Sequence, residues 1–320
     1  MLQDVLPSTR RVVESAKYVS INRTALGEFC GSFSPGDVEI IELGRRLQTW
    51  DVRQAIGLVC VFNCVNFCFW APKGKPKWAV QIDGEMIDGA SGMFCALEEA
   101  LVNGVPLLDA RFLSEMTQDQ LGRLLSGTTE VPLLNERVRG LQEAGEVLLK
   151  HFDGSFMDVV KLAQGDAAEL TNIFIRFFPL FNDFTVIDGS KIEFYKRAQL
   201  TVDMVNYRLM KLGAGELWSL DKLTAFADYK VPQILREFGI LEYAPPLAER
   251  VDSYIEIDAD SREEAEIRSA TIWAIEEIKE TLIPRYPRIT ARQLDDYLWS
   301  AAQKESPDRK PYHRTRTIFY

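Results

Sequence analysis

The stretch FFPLFNDFTVIDGSKIEFYKRAQ (Phe177–Gln199) changes its periodicity twice within a few turns of chain. Its two ends belong to longer segments, 155–178 and 195–211, in which apolar residues recur at the three- and four-residue spacing of a helix. Between them Phe184–Ile187 and Ile192–Tyr195 flank Asp188-Gly189-Ser190, a turn signal between two short β-branched and aromatic runs. A hairpin held between helices is therefore expected here. The rest of the chain repeats that plan.

Helical spacing also covers 9–18, 38–49, 90–103, 117–125, 134–150, 246–256, 262–282 and 291–304, while 55–70 reads as a buried helix and the segment leaving it. Thr117 with Gln120, and Thr290 with Gln293, have the spacing of capping boxes at helix starts. Gly127, Gly154 and Gly239 stand where helices would stop. Trp78–Ile82 and Glu85–Ile87 flank Asp83-Gly84, a second hairpin with a type I′ turn. The expected fold is mainly α with small antiparallel β hairpins. No flexible linker divides the 320 residues, so two packed lobes are expected, 1–150 and 151–320, with the chemistry-bearing segments in the second.

Hydrophobic residues make up 47% and charged residues 26%, the balance of a water-soluble globular chain. The formal net charge of −10 argues against a surface built to wrap nucleic acid and leaves room for a locally basic pocket. The first residues lack the basic and long apolar regions of a secretory signal. Five cysteines, three of them crowded at Cys60, Cys64 and Cys68, point to a reduced, cytoplasmic protein. Their four-residue spacing places them on one helix face but matches no common cluster motif, so they read as core packing. With only His151 and His313 available, no HExxH zinc site is possible, and no phosphate-binding glycine loop is present. Neither metal nor cofactor is expected.

Four segments carry candidate chemistry. Lys196 and Arg197 fall where the hairpin of 184–195 enters a helix, a position suited to an anion or a developing negative charge; a solvated pair is the blander alternative. Asp228 sits between Phe226 and Tyr229, with Pro232 just beyond. A carboxylate beside aromatic rings can bond the edge of a flat base while a ring stacks on its face. A plain helix cap explains the same residue. Asp295 and Asp296 precede Trp299 on a helix and point roughly 100° apart, so one can face a pocket and the other solvent. Last, Arg309–Tyr320 gathers Arg309, Lys310, His313, Arg314 and Arg316 ahead of an apolar end, which suggests a tail that docks.

FYKRAQ (Phe194–Gln199), FADYKVPQIL (Phe226–Leu235), EIRSATIWAIE (Glu266–Glu276), DDYLW (Asp295–Trp299), YHRTRTIFY (Tyr312–Tyr320) and NFCFW (Asn66–Trp70) together resemble the queuosine salvage protein family. The resemblance implies an N-glycosidase that releases queuine from queuosine 5′-phosphate for reinsertion into transfer RNA. It also implies a helical two-lobed architecture akin to helix-hairpin-helix DNA glycosylases, with the site between lobes; a helix–turn–helix reading of 220–239 is consistent with it. By motif, Phe226 and Asp228 look like the base-binding pair. Asp295 looks like the carboxylate that stabilises or attacks the sugar carbon, and Lys196 like its electrostatic partner or, with the basic tail, a phosphate ligand. Tyr229, Asp296, Trp299, Arg197 and His313 complete the expected substrate contacts. Lys230 replaces the family's arginine and Asp296 its tyrosine, which leaves open which aspartate of the pair faces the site. A 7-deazaguanine offers carbon in place of N7, so the leaving base must be bonded elsewhere.

Two rivals belong to other classes. A non-catalytic binder of queuine or modified nucleotides would release no free base. A DNA glycosylase would bind duplex DNA with a steep salt dependence, which the negative charge disfavours. The expected partner is a small nucleotide, with no membrane and no stable DNA or transfer RNA complex.

Overall fold

The computed structural model describes residues 1–39, 41–46, 50–304, 306 and 309–320. Helix α1 (Val5–Glu14) leads into strand β1 (Val19–Ile21) and helix α2 (Arg23–Ser32), whose start is closed by Asn22 accepting from the Thr24 and Ala25 amides. Helix α3 (Val52–Val65) is buried on every side from Ala55 onward, with Asn63 the one polar side chain in that stretch apart from its thiols. The hairpin of β2 (Ala79–Ile82) and β3 (Glu85–Asp88) follows, in the expected register and with Asp83 and Gly84 at φ 50° and 85°. Helices α4 (Gly89–Val102), α5 (Ala110–Ser114), α6 (Gln118–Leu124) and α7 (Leu134–His151) complete the first half. Gly145 on α7 is forced by packing: a Cβ there would lie 2.3 Å from the Ser114 amide nitrogen.

The second half runs through α8 (Phe156–Leu162) and α9 (Ala167–Phe177) to the hairpin of β4 (Phe184–Ile187) and β5 (Ser190–Glu193). Helix α10 (Lys196–Lys211), helix α11 (Lys230–Glu237), strand β6 (Leu241–Tyr243) and helices α12 (Pro245–Asp252), α13 (Arg262–Leu282) and α14 (Ala291–Gln303) follow. The chain is mainly helical, with three antiparallel strand pairs among the described residues. One continuous apolar core takes residues from Leu2 to Ala302. Helix α1 lies along α13, and α3 packs on both α7 and α10, so the two halves share that core. Both capping boxes form, with the Gln120 and Gln293 amides donating to the threonine hydroxyls at 3.2 and 3.4 Å.

Several expectations are corrected, each by a tertiary cause. Residues 38, 39 and 41–46 are not helical, and 40 and 47–49 lie outside the described residues. Gly44 has φ 90°, and the Arg45 and Arg46 amides donate to the Glu98 carboxylate rather than along a helix. The single helix expected over 155–178 is two, because Gln164 and Gly165 turn left-handed and the backbone of Trp218 bonds there, its amide donating to the Gly165 carbonyl and its carbonyl accepting from the Ala167 amide. The second hairpin has a two-residue turn at Asp188-Gly189, so its second strand begins at Ser190 and ends before Tyr195. Residues 220–239 are not a helix–turn–helix. One 3-10 turn at Leu220–Lys222 gives way to extended chain, because Gln199 takes the Thr224 amide and Asp295 takes the Phe226 amide. Helices α2 and α5 and the β1–β6 pair had no local signal long enough to read; the partners in β1–β6 are more than 200 residues apart.

Candidate active site

Tyr195 adopts a left-handed backbone (φ 52°) immediately before α10, a strained conformation for a bulky residue. Its hydroxyl donates to Glu193 at 2.6 Å, and the Lys196 amide donates to the Asp183 carboxylate at 3.1 Å. The result turns the chain sharply and places the Lys196 side chain in a cavity of about 380 Å³. The extended segment before α11 forms a second wall, bearing Phe226, Asp228 and Tyr229. Helix α14 forms a third, bearing Asp295, Asp296 and Trp299. All seven of these expected residues line the one cavity.

Asp228 satisfies both explanations open to it. One carboxylate oxygen accepts from the Lys230 and Val231 amides at 2.7 and 2.9 Å, closing the start of α11. The residue is 6% exposed, and its other oxygen makes no hydrogen bond to a described residue. Asp295, 4% exposed, accepts from the Phe226 amide at 2.8 Å through one oxygen only. That bond ties α14 to the extended wall. The Lys196 ammonium, in a residue 7% exposed, has neither a hydrogen bond nor an ion pair among the described residues. These three exposures decide the electrostatics, because charges removed from water and left without direct partners shift their proton affinities.

Burial pushes the Asp295 carboxyl up to about 8, and the nearby Asp228 charge pushes the same way; the Phe226 amide and Lys196 oppose them. Asp228 is raised by burial and pulled back by Lys196 and its two amides. Lys196 is lowered by burial and held up by Asp228 and Asp295. Two carboxyls and one ammonium thus share a dry space, and their preferred state at neutral pH keeps a proton on Asp295.

Asp296 points into the cavity rather than into solvent, which the helical angle alone did not anticipate. Burial raises its proton affinity well above the ordinary range, and Asp203 and Asp295 add to the effect. Asp203 itself pairs with Arg292 at 2.6 Å. Neither Asp203 nor Arg292 stood out in sequence, since each is one charged residue on an amphipathic helix. Asn66, Phe67 and Phe69 also line the cavity and come from the first half of the chain.

Arg197 and His313 do not line it. The Arg197 guanidinium donates to the Asn63, Cys64 and Leu180 carbonyls, and Arg137 donates to those of Val65, Phe67 and Cys68. The two arginines close the end of α3, where cations suit the helix dipole, and so hold the loop that presents Phe67 and Phe69. His313 is buried behind Tyr320, its Nε2 3.3 Å from the tyrosine hydroxyl. Burial and the neighbouring Arg268 push its imidazole down to about 3, which keeps it neutral. The tail does dock: Thr315 accepts from the Trp70 indole at 3.2 Å, and the Tyr320 hydroxyl donates to Glu264 at 2.9 Å. Cys60, Cys64 and Cys68 are buried free thiols, as the packing reading expects.

A sequence profile described as "Queuosine salvage protein" matches residues 47–320. A protein of Sphaerobacter thermophilus named queuosine 5′-phosphate N-glycosylase/hydrolase is 42% identical over 317 residues, 99% of this chain and 97% of that one. Proteins of the same name from Bos taurus and Schizosaccharomyces pombe are 33% and 27% identical. They align over 83% and 92% of this chain and over 82% and 92% of their own lengths.

Proposed function

The chain belongs to the queuosine salvage protein family, and from that premise we propose that it hydrolyses the N-glycosidic bond of queuosine 5′-phosphate and releases queuine. The observation that carries this reading is the convergence of Asp228, Asp295 and Lys196. Three buried ionisable groups line one cavity, and each keeps at least one polar atom free of protein partners. Structural charges at such depth are normally tied off. Phe226, Tyr229 and Trp299 supply flat apolar surface around them for a base.

Breaking the bond leaves an oxocarbenium-like sugar and sends the electron pair to the ring nitrogen of the departing base. Asp295 holds a proton at neutral pH and gives it to that nitrogen. Asp228, whose ionised form is favoured by two backbone amides, stabilises the positive sugar carbon. Water then adds to the carbon and returns its proton to Asp295, which restores the starting state. Lys196 balances the charge of the pair throughout. This division reverses the one implied by the motifs, where Asp295 faced the sugar and Asp228 the base. The physical reason is the greater number of N–H donors on Asp228. Two carboxyls pushed apart in proton affinity are the general pattern for such acid and base roles.

Incubation with queuosine 5′-phosphate tests the reading: free queuine should accumulate with the intact protein and not with Asp228→Asn or Asp295→Asn. Binding without release by the intact protein would establish the non-catalytic alternative instead. The helix-hairpin-helix glycosylase likeness and the two lobes remain part of the proposal. They are supported by a mainly helical chain and by a cavity that draws on both halves. A cytoplasmic setting is supported by five unbridged cysteines. The net charge of −10 supports a small-nucleotide partner over a stable nucleic-acid complex.

A further inference from the structure

The wall that carries Phe226 and Asp228 is extended chain that pairs with no strand among the described residues, so side chains must take its backbone groups. The Phe226 amide goes to Asp295 at 2.8 Å, and the Ala227 carbonyl accepts from Arg268 Nε at 3.3 Å. The Thr224 amide goes to the side-chain oxygen of Gln199 at 2.8 Å. Gln199 is fully buried on α10, and its side-chain nitrogen donates twice. One bond runs to the Thr224 hydroxyl at 3.0 Å, the other to the Phe194 carbonyl at 2.9 Å. Phe194 stands beside Tyr195 in the strained turn that sets Lys196 into the cavity. Thr224 stands just ahead of Phe226 in the second wall. One neutral side chain therefore ties the segment bearing Lys196 to the segment bearing Asp228.

We infer that Gln199 is a positioning residue for the reaction, holding Asp228 and Lys196 in place relative to each other through every stage of turnover. The inference rests on the hydrolase reading above. In that reading Asp295 gives up its proton and regains it, so its bond to the Phe226 amide changes strength within each cycle. Arg268 reaches the wall through one long contact. Gln199 carries no charge and does not titrate, so its bonds are independent of the protonation state of the site. They are also buried, where a low dielectric strengthens each of them. Gln199 does not line the cavity, so it touches no reacting atom and acts through the groups it holds. A misplacement of about 1 Å in such groups costs about 10²-fold in rate.

Gln199→Met keeps the length of the side chain and removes its hydrogen bonds. Measured well below the melting temperature, kcat for queuine release should fall about 10²-fold, with a smaller change in KM. The alkaline limb of kcat/KM should also move away from about 8, because the Phe226 amide and Asp228 act on Asp295 from the wall that Gln199 holds. A side chain that only stabilises the fold would lower the melting temperature and leave kcat and the limb at the parent's values. That result overturns the inference. If Gln199→Met does not fold, two variants at Thr224 decide. Thr224→Val loses the hydroxyl bond and should lower kcat about 3- to 10-fold, whereas Thr224→Ser keeps the hydroxyl and should keep the rate. Parental kcat in Thr224→Val overturns the inference and leaves the hydrolase reading intact. If the intact protein releases no queuine, the hydrolase reading falls and the positioning role falls with it.

Discussion

Asp183 and Arg268 meet in two hydrogen bonds of 2.9 and 2.5 Å, deep behind the cavity wall. Glu264 lies 3.7 Å from the same guanidinium, the Ala227 carbonyl accepts from its Nε, and the Phe194 and Tyr320 rings cover it. Burial opposes the Arg268 charge, but Asp183 outweighs it and raises the guanidinium above its ordinary range. Lys196, Asp228 and Asp295 are buried to a similar degree, yet no two of them form a direct ion pair, and their proton affinities drift towards neutrality. The contrast separates two uses of buried charge. In the first cluster every polar side-chain atom of Asp183, Glu264 and Arg268 has a hydrogen-bond partner, so the cluster holds the fold. In the second, one oxygen of each carboxylate and the Lys196 ammonium make no hydrogen bond to a described residue, and the three side chains line the cavity.

Substitutions should divide along the same line. The largest expected effect is on rate: Asp228→Asn and Asp295→Asn should each lower queuine release by about 10²–10³-fold or more, with a melting temperature equal to or above that of the parent. Turnover close to normal in either would place the chemistry elsewhere. Asp183→Asn should do the opposite. It leaves Arg268 buried without its partner, a loss of about 3–5 kcal/mol and of roughly 10 °C in melting temperature. A melting curve that does not move would erase the distinction between the clusters.

A pH series sharpens it further. Asp295 must carry its proton to act as the acid, so kcat/KM should fall as pH rises through about 8. A rate that instead climbs through that pH would assign the ionised form to Asp295 and restore the motif-based division. The same shift is a stability statement. Between roughly pH 4, where an unfolded carboxyl titrates, and pH 8, the native state holds a proton that the unfolded state has lost. Stability contributed by Asp295 therefore declines as pH rises across that window, and Asp295→Asn should flatten the curve there. The smallest effect is expected at Arg23, which pairs with Glu277 at 2.8 Å but is largely exposed. Arg23→Ala should cost less than about 1 kcal/mol. A larger loss would mean that geometry, and not burial, sets the strength of these pairs.

Much of the fold follows from rules that act within a few residues. Asp83-Gly84 and Asp188-Gly189 turn two hairpins because their positive φ angles suit those residues. Thr117 and Thr290 start helices because a hydroxyl three residues from an amide closes it. Phe226, Asp228, Asp295 and Lys196 could be named in advance as members of one site from the motifs that carry them. Their behaviour could not. That Asp228 caps α11 with one oxygen and keeps the other for the cavity depends on where α11 begins. That Asp296 lines the cavity in the field of Asp203, some 90 residues away on α10, depends on how α14 is placed in the fold. Arg197, adjacent to Lys196, turned out to hold the end of α3, and at Arg45 and Arg46, within the span expected to be helical, the amides go to the Glu98 carboxylate. The amino-acid sequence determined which groups are present and which short segments are helix or turn, because those depend on neighbours along the chain. Only the tertiary structure decided which charges are left without partners, because desolvation and pairing depend on everything that packs around them.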